Sequence, residues 1–171
     1  MISFNSIGNL GHLGNQMFQY AATKGISIAN NTDFCIAPKE YFGSNYNVKS
    51  RLDDCFILDC DRSISNFARY NESSFSFNQG LFDINVDIDL FGYFQSEKYF
   101  KHIESEIRKD FLFRAEIYEP AKQQFDYMFN NSKVISLHVR RGDYITDPNH
   151  PVQSLEYYQK SLEHFTEDTS V

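Results

Sequence analysis

The chain opens on a change of period. Ile2, Phe4 and Ile7 fit a short strand, a glycine-rich turn spans Gly8 to Gly14, and Met17, Tyr20, Ala21 and Ile28, flanked by Phe18, then recur at helical spacing over residues 15–29. Strand, glycine-rich loop, helix is an opening unit of α/β folds with parallel sheets. Residues 34–36 read as a second strand ending at Pro38, and residues 84–91 alternate apolar with Asn or Asp, the period of a half-buried strand whose Asp83, Asp87 and Asp89 face solvent. Ser96 is placed to cap a helix carrying the stripe Phe100, Ile103, Ile107 and Phe111. A further helix is expected to begin near Pro120, where the missing N–H costs nothing in a first turn, with Phe125, Met128 and Phe129 on one face. Residues 134–139 form the clearest buried strand, and Ser154 caps a last helix with Leu155, Tyr158 and Leu162 facing inward. Between residues 39 and 80 no period lasts; a strand near Phe56–Leu58 is the best reading of short elements and loops.

Length sets the frame for these elements. With 171 residues the chain is one ordinary domain, able to bury a real core without metal or disulfide, and too short for a complete two-domain enzyme. A boundary is expected at the polar hinge 130–133, giving a domain over 1–130 and the start of a second, unfinished one over 131–171. At 42% hydrophobic and 16% aromatic the chain is not disordered, and its net charge of −7 argues against nucleic acid while leaving room for a local basic anion pocket. Cys35, Cys55 and Cys60 lack zinc spacing and read as reduced thiols. Neither a secretory leader nor a membrane span is evident, so the expected place of work is the cytoplasm, with peripheral contact at a membrane surface left open. The glycosylation patterns at Asn30, Asn71 and Asn130 then read as chance matches.

Three segments can carry chemistry. Gly11-His-Leu-Gly-Asn-Gln16 lies at a strand-to-helix junction, where glycines allow close approach of a ligand and a helix start favours negative charge; the competing reading is a turn whose Asn15 caps the helix. Gln16 offers an amide to a sugar hydroxyl. His138-Val-Arg-Arg-Gly-Asp143 ends the strongest strand, where open parallel sheets face their ligand. Arg140 and Arg141 suit a diphosphate, since each guanidinium is a flat fork of donors; the competing reading is an exposed Arg–Asp pair beside a core histidine, His138. Gly92-Tyr-Phe-Gln-Ser-Glu-Lys98 adds aromatic and amide groups of the kind that bind sugars.

Taken together, residues 10–22, 92–100 and 138–144, with Tyr157-Tyr158 near the end, resemble the alpha-1,2-fucosyltransferases in order and separation. The resemblance implies a GT-B glycosyltransferase, two facing Rossmann-like domains, with this chain holding the first and the opening β-α unit of the donor domain. It implies GDP-fucose as donor substrate, a terminal galactoside in a glycan as acceptor, and no separate cofactor. Arg140 would hold the donor diphosphate with Arg141, Asp143 would orient that arginine or its loop, and His138 would shape the donor pocket. Either His138 or Asp143 is the expected base, if one is needed. Gly11, His12, Gly14, Asn15 and Gln16 would form the acceptor-side cleft loop. His12 departs from the Gly or Arg common there, and the family's later donor-contacting segments have no counterpart. No essential metal is expected, because the arginines can carry the charge. The alternatives are a transferase using a related sugar nucleotide, or a non-catalytic fragment that binds a carbohydrate or a partner.

Overall fold

The computed structural model describes residues 1–39, 41, 50–130, 132, 134–148 and 150–166, with the backbone alone at Asp143 and Thr166. It resolves into two compact units, Met1–Phe125 and Asp126–Val171. The hinge residues Asn131 and Lys133 lie outside the described residues.

The first unit is an α/β, Rossmann-like domain. Five short strands, β1 (Ile2–Phe4), β2 (Phe34–Ile36), β3 (Asp61–Arg62), β4 (Ala68–Asn71) and β5 (Ile88–Phe91), are all parallel and lie in the order β3-β2-β1-β5-β4. Helix α1 (Leu13–Ala29) returns the chain from β1 to β2. Alternation along each strand sends Ile2, Phe4, Ile36 and Leu90 into the core that also holds Tyr20, Ala21 and Ile26 of α1. Short helix α2 (Leu52–Cys55) seals Leu52 into the same core. Beside it Phe56, fully buried, packs its ring 5.0 Å from Phe111.

The other face of the sheet is polar. The pairing register sets Asp61, Cys35, Ser3, Asp89 and Arg69 side by side across all five strands. No helix links β3 to β4 although they occupy opposite edges; residues 63–67 make the crossing, with Ser65 bonded to Ser3 and reciprocally to Asn5. Asp89 is therefore not on a solvated face: it is 2% exposed and accepts the Asn5 backbone N–H at 2.8 Å and the Ser3 hydroxyl at 3.2 Å. A buried carboxylate requires such donors. Burial pushes the Cys35 thiol upward, and pushes Cys60 to about 11. All three cysteines are free.

Several sequence expectations change at their boundaries. β5 starts at Ile88, so the alternation at 84–87 lies outside the ladder and Val86 is exposed. Residues 56–58 contribute only an isolated antiparallel bridge, Phe56 to Phe113. Ser96 precedes a helix that begins as two 3-10 turns, Glu97–Tyr99 and Lys101–Ile103, before α3 (Glu104–Asp110); its hydroxyl makes no cap bond. Tyr20 and Lys24 anchor α3 to α1 through Asp110. Helix α4 (Ala115–Phe129) starts five residues before Pro120, which therefore sits inside it and forfeits the bond to the Glu116 carbonyl. Its face of Phe125 and Met128 is exposed.

In the second unit, residues 134–141 pair with no described strand, and Val134, Ile135, Leu137 and Val139 are all exposed. The expected buried strand is thus absent among the described residues. The segment supplies one apolar run, and a ladder needs two. Helix α5 (Leu155–Thr166) is capped as expected, the Ser154 hydroxyl accepting the Tyr157 N–H. Tyr158 and Leu162 are half-buried, whereas Leu155 is exposed.

Candidate functional site

The sheet order reverses direction between β1 and β5, and open α/β sheets bind ligands where loops diverge at such a point. The loop after β1 carries the predicted glycines. Gly11 takes φ +74, and a Cβ there would strike the Asn15 amide. His12, exposed, is the backbone N-cap of α1 and makes no side-chain cap bond. Asn15 is consequently inside the helix rather than its cap, and its Oδ1 accepts the Gln95 amide N–H at 2.6 Å. Gly14 faces open space. Gln16 is fully buried, donating to the Gly11 carbonyl at 3.3 Å and accepting the Arg51 N–H at 2.7 Å. A long amide side chain on the inward stripe of an apolar helix is drawn into loop carbonyls, which need its donors.

Gln19, one turn on, repeats this role, although the sequence reading does not single it out. Its Nε2 donates to the carbonyls of Leu10 (3.0 Å) and Gly92 (3.2 Å), tying the β1 loop to the β5 loop. The signal is present, an amide three residues after Gln16 on the same buried face. Glu72, following β4, also escapes a reading from sequence, since its surroundings have no period. Its carboxylate accepts the N–H groups of Tyr93 (2.7 Å) and Phe94 (3.1 Å). Gly92 holds φ +156 against it, where a Cβ would collide with the Glu72 side chain, and Phe94 holds φ +50. Two unusual backbone conformations clamped by one carboxylate make a rigid turn. A cavity of about 330 Å³ opens there between Leu10, residues 71–75 and residues 91–93.

His138, Arg140 and Arg141 belong to the second unit and are exposed. The guanidinium of Arg140 lies 4.5 Å from the centroid of the Tyr144 ring, which stacks at 4.8 Å on His150, itself 2.7 Å from Asp147. A guanidinium over an aromatic face is attracted by the ring's negative face, which helps hold the charged fork in place. The Asp143 side chain lies outside the described residues; its backbone is in the 3-10 turn Gly142–Ile145. Among the described residues no group of three His, Cys, Asp or Glu could hold a metal ion, and no helix is long and apolar enough to cross a membrane.

Known proteins place this arrangement in context. The family described as Glycosyl transferase family 11 matches residues 1–171. An alpha-1,2-colitosyltransferase of Escherichia coli is 25% identical over 184 aligned residues, covering 92% of this chain and 62% of the relative. The chain thus spans about six-tenths of that relative's length. No solved structure matches.

Proposed function

We propose that this chain, which belongs to glycosyl transferase family 11, moves L-fucose from GDP-fucose to the 2-hydroxyl of a terminal galactoside. The observation that supports this most is the match over residues 1–171, because it takes in the Gly11–Gln16 loop and the His138–Asp143 turn within one family pattern. Residues 1–130 then serve as the acceptor-side domain, and residues 131–171 begin the donor-side domain.

The chemistry is a single displacement with inversion. The acceptor oxygen forms a bond to the anomeric carbon as the bond from that carbon to the diphosphate oxygen breaks. The hydroxyl proton passes to a base, His138 or Asp143 in this reading, and the electron pair leaves with GDP. Arg140, 4.5 Å over the Tyr144 ring, meets the negative charge that accumulates on the diphosphate, and Arg141 and His138 of the same motif complete the donor side in this reading. Such preorganised charge costs no reorientation at the moment of bond cleavage. His12 stands exposed at the start of α1, on the acceptor-side loop. Because the arginines carry the charge, the reaction needs no metal, and EDTA is expected to leave the rate unchanged; a divalent-dependent rate contradicts this.

A second reading differs in the sugar. The colitosyltransferase relative makes colitose a competing sugar, which this reading places on GDP as it does fucose. The test is a transfer assay on the protein containing these 171 residues, offering GDP-fucose, GDP-colitose and UDP-galactose to a panel of terminal galactosides. A fucosylated product linked at O2 is expected. Transfer from GDP-colitose alone selects the second reading, and transfer from UDP-galactose alone, or from none, rejects both.

A further inference from the structure

The cavity at the carboxyl ends of β4 and β5 is built differently from a nucleotide site. Its wall continues β4, where the Glu72 backbone N–H donates to the Phe91 carbonyl at 2.8 Å and so extends the ladder past Asn71. Phe75, 73% exposed, and Tyr93 stand as neighbouring rings with centroids 6.3 Å apart and planes inclined by 37°. Asn71, Ser73 and Ser74 add an amide and two hydroxyls to the lining. Among the described lining residues Glu72 is the one ionised side chain, and its oxygens already accept N–H bonds from Tyr93 and Phe94. Arg69 stacks 4.9 Å over the Phe91 ring and is paired with Asp89 on the polar face of the sheet.

Charge decides what such a cavity takes. A diphosphate calls for guanidinium or ammonium donors, and the described lining has none. A pyranose calls for an aromatic surface against its C–H face and neutral donors and acceptors around its rim. Galactose presents such a face well, because its axial 4-hydroxyl leaves a continuous patch of C–H groups on one side of the ring. The volume, about 330 Å³, is at the small end of the ~300–1,000 Å³ typical of small-molecule sites. The walls are set before any ligand arrives: Gln19 ties Leu10 to Gly92, and Glu72 clamps the turn that carries Tyr93.

We propose that this cavity seats a pyranose ring of the acceptor glycan, with Phe75 and Tyr93 as its stacking surface and residues 71–74 as its polar rim. The assignment rests on the reading that the chain transfers a sugar to a galactoside, and it adds Phe75 and residues 71–74, which none of the three chemistry-bearing sequence segments contains.

The test separates the two. Methyl β-galactoside, methyl β-glucoside and GDP are titrated into the chain and followed by ligand-observed NMR. Methyl β-galactoside is expected to bind in preference to the glucoside, with transfer of saturation from aromatic protons, and GDP is expected not to displace it. Phe75→Ala should weaken binding about 3–10-fold, the worth of one aromatic contact, and Phe75→Tyr should restore it. Because Phe75 is exposed, neither change should shift the unfolding temperature, which is checked on the same samples. In the transfer assay Phe75→Ala should raise the KM for galactoside and leave the KM for GDP-fucose unchanged. No galactoside binding, unchanged binding by Phe75→Ala, or displacement by GDP overturns the assignment. Failure of fucose transfer with the binding pattern intact overturns the reaction instead and leaves the cavity assigned.

Discussion

Phe4 and Leu137 both stand in short runs whose apolar residues spell strand, yet Phe4 is fully buried and Leu137 is 48% exposed. The difference is not in the runs themselves, since residues 134–139 are longer than β1 and apolar in the same proportion. β1 has ladder partners on both sides, β2 through Phe4–Ile36 and β5 through Ser3–Asp89, and α1 packs into the core that holds Phe4. Leu137 has no paired strand among the described residues. Periodicity states which face a residue would bury, and burial follows only where a partner closes the ladder and covers the face. The first unit meets that condition and the described part of the second does not.

Core substitutions should separate the two regions most sharply. Phe56→Ala removes a fully buried ring between Phe111 and Phe113 and is expected to cost about 3–5 kcal/mol in urea unfolding, whereas Leu137→Ala should stay within about 0.5 kcal/mol. Equal losses would mean that residues 134–139 are buried after all. Within the first unit, Gly92→Ala should cost about 1–3 kcal/mol, because the added Cβ meets Glu72 and loosens its bonds to Tyr93 and Phe94. An unchanged midpoint would show that the turn is not clamped.

A smaller effect reports on how dry the first unit is. Burial disfavours the Cys60 thiolate and raises its pKa from 9.0 to about 11, so the folded protein holds this proton more tightly than the unfolded chain does. Alkylation of Cys60 in the native state, mapped by mass spectrometry, should therefore climb about tenfold per pH unit toward 11, while in urea it levels off near 9. The same linkage makes the contribution of Cys60 to stability complete below pH 9 and lost as pH rises toward 11. Coincident native and denatured profiles would break the comparison.

What can be read from the residues follows the same division. The opening strand, the glycine loop and α1 are legible because a sharp change of period marks them, and the register of Ile2 and Phe4 needs no other knowledge. β3 and β4 are not, since a two-residue and a four-residue strand carry too few side chains for alternation to register. Asp89 reads as solvated for a related reason: alternation identifies the second face of the sheet, but only the crossing at residues 63–67 covers it. Pro120 reads as a helix start because its neighbours give no sign that α4 already runs before it, and an exposed helix tolerates the lost bond. In the site, Arg140 is legible as a charged fork, whereas the ring that holds it, Tyr144, and the stacked His150 depend on a turn that spacing does not reveal. Glu72 acts through backbone N–H groups about twenty residues away, which no local pattern encodes.

In the proposed function the first unit takes the acceptor and the second takes the donor diphosphate. The decisive measurement of that division is both KM values and kcat for Arg140→Ala and Phe75→Ala in the protein containing these residues. Arg140→Ala is expected to lower transfer by about 10²–10³-fold and to weaken GDP-fucose with the galactoside KM unmoved, and Phe75→Ala to do the reverse on the KM values. Arg140→Ala kinetics indistinguishable from the parent, or a galactoside KM that follows Arg140 rather than Phe75, would contradict it.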